Sequence, residues 1–162
     1  MEITFTKVKL PWGWLSNMSP HPIDILGTVW PTAEHLFQAL RFDVHSPIRE
    51  EIRAQKSPMT AKMVAKRYVD QMTKVPRSRE DLDSMRLVLL LKVEEHPDLK
   101  TKLLGTGDAV IIENVTARPN ESGLFWGAAR NPDGTWRGNN ALGKEWMTVR
   151  WTLRLPRPVE SP

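Results

Sequence analysis

A mostly helical α+β domain with a few short strands is the fold class this sequence predicts. Helix-start signals recur along the chain: Thr32 beside Pro31, Ser57 followed by Pro58, Ser78 before an apolar-periodic run, and Pro97. Strand-like runs are few and short. The length of 162 residues fits one domain, placed at 1 to 155 with a frayed tail from 156 to 162, and long enough to bury a core without a disulfide or structural metal.

The elements follow in order. Residues 3 to 10 alternate weakly and read as a strand ended by Pro11. Residues 12 to 22 are rich in turn-formers and read as a loop. Residues 23 to 30 predict a hairpin bending at Gly27, and a helix begins directly afterwards. Further helices are expected over 47 to 55, 59 to 69 and 78 to 96, the last with Leu82, Met85, Leu89 and Val93 at helical spacing. Pro97 opens a shorter helix that Gly105 ends. Residues 109 to 115, AVIIENV, form the best buried-strand candidate. Residues 116 to 141 read as one long irregular stretch, and long loops in small domains are often functional. A last helix covers 141 to 154.

Composition narrows the class. Hydrophobic residues make up 40% and charged residues 26%, as in ordinary globular proteins. No apolar run approaches the roughly 20 residues that span a bilayer. The first residues lack a basic region followed by an apolar stretch, so no signal peptide is expected and the default compartment is the cytoplasm. With no cysteine, zinc-finger and thiol chemistry are excluded. The four histidines show no metal-ligand spacing, and GTG at 105 to 107 lacks the lysine of a phosphate loop. A net charge of +4 and a pI near 9.6 suit a phosphate-bearing ligand. Seven of the twelve aromatics are Trp; most belong to the core or its rim, and two or three could offer a flat face to a nucleobase.

The stretch WPTAEHLFQALRF, residues 30 to 42, raises the sharpest question. At 100° per residue, Ala33, Leu36, Phe37, Leu40 and Val44 share one side, while Glu34, Gln38, Arg41 and His45 line another. An acid in a first helical turn is favoured by the helix dipole whatever the protein does, so spacing alone leaves this line as solvated surface or as the wall of a reaction site.

The segments LSNM (15–18), WPTAEHLFQALRF (30–42), SPMTAK (57–62), FWG (125–127) and NNALGKEWMTVR (139–150) occur in an order that resembles the NADAR (YbiA-like) family. The resemblance spans roughly residues 12 to 151. It implies an N-glycosidase acting on a ribosyl substrate that bears phosphate, either a ribosylamino-pyrimidine intermediate of riboflavin biosynthesis or ADP-ribose on guanine, in free metabolite or nucleic acid. No cofactor, metal or membrane is implied. Hydrolysis at an anomeric carbon passes through an oxocarbenium-like cation, which a nearby carboxylate stabilises. Glu34 matches the family's glutamate, with Arg41 as its electrostatic partner. Asn17, Gln38, Trp126, Gly127, Asn140 and Gly143 are carried over as substrate-binding positions, with Asn140 and Gly143 bringing backbone N–H groups toward phosphate. Tight packing explains Gly143 equally well.

Three positions depart from the family pattern. Arg41 stands where a lysine is usual, and a guanidinium has no free amine for Schiff-base chemistry. Leu82 stands in place of a tryptophan, and Gly123 in place of an aspartate for which Glu121 is the nearest substitute. These departures keep open a silent ADP-ribose or nucleotide-binding module; a third reading, a basic Trp-rich nucleic-acid binder, requires the tryptophans exposed in one basic groove.

Overall fold

The computed structural model describes residues 1 to 156; the expected frayed tail, apart from its first residue, lies outside the described residues. Among the described residues, six short strands pair two by two and seven α-helices pack with them. Strand β1 (Glu2–Phe5) runs parallel to β4 (Val110–Glu113), with Ile3 opposite Ile111. Strands β2 (Ile23–Ile25) and β3 (Thr28–Trp30) form the expected hairpin, turning through Leu26 and Gly27, both at positive φ.

Helix α1 (Ala33–Ala39) packs against α2 (Pro47–Arg53), α3 (Pro58–Arg67) and the long α4 (Arg79–Glu95). Helix α5 (Pro97–Gly105) leads into β4, and α7 (Ala141–Arg154) closes over both β4 and α4. The cap residues behave as read: Thr32, Ser57 and Ser78 each accept a backbone N–H of the helix they precede. Trp14, Trp30 and Trp146 are buried, and the Trp146 indole donates to Leu15 O at 2.9 Å. Trp151 is exposed on α7.

Several expectations need correction. Strand β1 stops at Phe5 rather than Leu10, because residues 7 to 16 fold into successive turns around the 3-10 segment Gly13–Leu15. Helix α1 ends at Ala39, so Val44 and His45 are exposed and belong to neither of its faces. Tertiary bonds end it: Arg41 O accepts the amides of Thr73 and Lys74, and Phe42 O accepts the Arg49 guanidinium. The stretch 116 to 141 is not irregular throughout. It contains α6 (Glu121–Trp126), capped by Asn120, and the small ladder of β5 (Ala129–Arg130) with β6 (Trp136–Arg137).

Candidate active site

Helix α1 is buried along its whole length, polar residues included: Glu34 and Gln38 expose only 7% and 3% of their surface, and Arg41, in the turn just after the helix, 8%. A solvated face is therefore the wrong description of the polar line. It forms one wall of a cavity of about 750 Å³, within the usual size of small-molecule sites. Asn17, Glu34, Gln38, Arg41 and Trp126, though far apart in sequence, all line it.

The line is wired by hydrogen bonds. Gln38 Nε2 donates to Glu34 Oε1 at 2.7 Å, and Arg41 Nη1 donates to Gln38 Oε1 at 3.1 Å. The remaining arm of Arg41 binds Asp81 bidentately, Nε to Oδ1 at 2.9 Å and Nη2 to Oδ2 at 2.7 Å. Asp81 is fully buried and also accepts the Arg77 amide at 2.7 Å. The carboxamide of Gln38 has one orientation that satisfies both neighbours, so Asp81 fixes Arg41, Arg41 fixes Gln38, and Gln38 fixes the Glu34 carboxylate. Arg41 thus works as an orienting residue within the protein.

Asn17 closes the wall from the loop after Leu15. Its carbonyl accepts the Glu34 amide at 3.0 Å, pinning the first turn of α1. Its Nδ2 contacts Met85 Sδ at 3.1 Å, while its buried Oδ1 has no partner among the described residues. Lys92 holds the loop from behind. This buried ammonium reaches Trp14 O at 2.6 Å, Ser16 O at 3.0 Å and Ser19 Oγ at 2.7 Å, while desolvation pushes its pKa down to about 7. On the other side Trp126 meets Phe37 edge to face, centroids 5.4 Å apart, giving the cavity an aromatic flank.

Sequence reading missed a second carboxylate. Glu113, the last residue of β4, lines the same cavity. Burial pushes its carboxyl up to about 7; the charge of Glu34 adds to the rise and Lys62 opposes it. The available signal was an acid closing an otherwise apolar run. This shift has a stability consequence. Between the ordinary value of 4.5 and about 7, the folded state keeps a proton that the unfolded chain releases, so stability falls with rising pH across that window. Glu113→Gln is therefore expected to raise the melting temperature at about pH 8 and leave it nearly unchanged at about pH 4. Scanning calorimetry at the two pH values checks this; a lower melting temperature at the alkaline value refutes it.

The other expected positions sit differently. Asn140, Gly143 and Gly127 support the site from outside its lining. Asn140 spends its side chain on β4, accepting the Glu113 amide at 3.1 Å and donating to Ile111 O at 2.8 Å. A Cβ on Gly143 would collide with Ile111 O, and one on Gly127 would meet Glu113 O at 2.5 Å. Close packing against β4 is thus what these glycines supply. Glu121 lines the rim but is paired with Arg77 at 3.0 Å, and its side chain is 86% exposed. Gly123 also lines the cavity, whereas half-buried Leu82 lies in the opening turn of α4 outside the lining.

Similarity to known proteins fits this geometry. The NADAR domain pattern matches residues 4–154. An N-glycosidase of Nostoc punctiforme is 37% identical over 161 residues, covering 95% of this chain and 94% of that protein. The NMR structure of the Escherichia coli protein YbiA, itself named an N-glycosidase, matches with a TM-score of 0.75 at 33% identity, over 94% of this chain and 86% of that one. The chloroplastic riboflavin biosynthesis protein PYRR of Zea mays is 31% identical over 161 residues, covering 91% of this chain but 24% of that protein. The chain belongs to the NADAR domain family and is a glycosyl hydrolase of the N-glycosidase kind.

Proposed function

We propose that this protein hydrolyses the N-glycosidic bond of a phosphorylated ribosyl substrate, with Glu34 facing the anomeric carbon. The observation that carries this reading is the meeting, in one cavity, of an oriented carboxylate, an aromatic flank and several cations. The side chains of Lys62, Lys66 and Arg118 line the cavity and have no hydrogen-bond or ion-pair partner among the described residues. They suit a phosphate, and half-buried Trp126 suits a base, with buried Phe37 behind it carrying the Arg41 guanidinium 4.6 Å from its ring centroid. Breaking the C1′–N bond leaves positive charge on the sugar. The Glu34 carboxylate, already oriented by Gln38, stabilises that charge without having to reorganise.

Two substrates share this chemistry: a ribosylamino-pyrimidine phosphate of riboflavin biosynthesis, supported by the name of the Zea mays relative, and ADP-ribosylated guanine, supported by cations at an open rim. The test is base release from each, followed chromatographically, with the Lys62→Ala/Lys66→Ala double variant alongside. Charge-assisted hydrogen bonds are worth about 1.5–3 kcal/mol each, so the double variant should raise KM by about tenfold or more. No base release from either compound, or an unchanged KM, overturns the reading.

A further inference from the structure

Heterolysis of a C1′–N bond expels a nitrogen that is a poor leaving group unless it receives a proton. The donor must reach the cavity, keep a proton near neutral pH, and have its carboxyl free of other bonds. Glu34 fails the last condition, since Gln38 holds it, and Glu121 is exposed and ion-paired with Arg77.

We infer that Glu113 is a second catalytic carboxylate, the acid that protonates the departing nitrogen. This rests on the N-glycosidase reading of the cavity. Its side chain makes no hydrogen bond among the described residues, yet its backbone is held firmly. The amide donates to Asn140 Oδ1 at 3.1 Å, the carbonyl accepts the Ala128 amide at 2.8 Å, and β1 pairs alongside through Phe5. A firm backbone with a free carboxyl is the arrangement a proton donor needs. Burial supplies the rest by keeping the acid protonated up to about pH 7.

Charged groups line the cavity with Glu113 from each wall: Glu34 from α1 and Arg41 just after it, Lys62 and Lys66 from α3, Arg77 ahead of α4, Arg118 ahead of α6 and Glu121 in its first turn. Glu34 disfavours a negative charge on Glu113 and Lys62 favours one, and burial sets the balance toward the protonated acid. In the reaction the C1′–N electron pair goes to nitrogen as the Glu113 proton is transferred to it. Water then bonds to C1′ and loses a proton to Glu34, and solvent exchange returns both groups to their starting states. The balance is one water and one N-glycoside giving the 1′-hydroxy sugar, ribose phosphate or ADP-ribose according to the substrate, and free amine or base.

The test is the pH profile of base release from the ribosylamino-pyrimidine phosphate and from an ADP-ribosylated guanine oligonucleotide, on whichever the wild type turns over. Wild-type activity should fall as pH rises through about 7, because the acid is lost. Glu113→Gln should lower kcat by about 10²-fold and abolish that alkaline limb, while Glu113→Asp, shorter but still titratable, should retain a limb. A role confined to packing would leave the limb in place at reduced rate. Persistence of the limb in Glu113→Gln, or activity within a fewfold of wild type, overturns the assignment and leaves the N-glycosidase reading intact. A wild type that releases base from neither substrate overturns both.

Discussion

Replacing Glu34 by glutamine is expected to reduce base release by about 10²–10³-fold, the range seen when one preorganised electrostatic group is removed from a site. The amide matches the carboxylate in shape, and its oxygen can still accept from Gln38 Nε2. What disappears is the negative charge opposite the developing cation. The fold should hardly notice, since only a dipole interaction of about 0.3–1 kcal/mol is lost at the start of α1. A second signature accompanies the rate. Removing the Glu34 charge takes away one of the causes that raise Glu113, so the alkaline limb should move to lower pH. A variant that retains full activity, or one that unfolds, would refute the role.

The largest effect on stability is expected from Asp81→Asn. Asp81 is fully buried, and its partner Arg41 is nearly so. Removing the carboxylate strands a buried guanidinium, a change that typically costs about 3–5 kcal/mol. The Arg77 amide also loses its charged acceptor. Urea denaturation should show this as a lower midpoint with an unchanged slope. Activity should fall as well, because the Arg41–Gln38–Glu34 chain loses its anchor. A loss below about 1 kcal/mol would show that the guanidinium finds solvent or another acceptor.

How much of this was legible in the sequence depends on the range of the forces involved. Thr32, Ser57 and Ser78 were readable as caps because a cap is a contact between residues two or three apart. The last helix and the 23–30 hairpin were readable for the same reason. The end of α1 was not, since it is set by amides of residues 73 and 74, far along the chain. Asp81 is one of two acids in the first turn of α4, and only its burial against Arg41 sets it apart from Glu80. Glu113 was hidden inside a strand prediction, and Glu121 was preferred for its nearness in sequence to FWG. Helix α6 was missed because Gly123 interrupts a segment of six residues, although Asn120 offered a cap.

Asn140 stands at the start of α7 in the left-handed region, φ 50°, and its side chain makes no capping bond to its own helix. The helix forgoes that stabilisation, and the amide serves β4 instead. One carboxyl of the cavity is thereby tied to the packed group of β1, β4 and α7. The facing rim is of another kind: α6 is six residues long and contains no buried residue. The cavity therefore joins a side anchored through β4 to β1 and α7, where charge is placed, to a side built on a short helix that buries no residue.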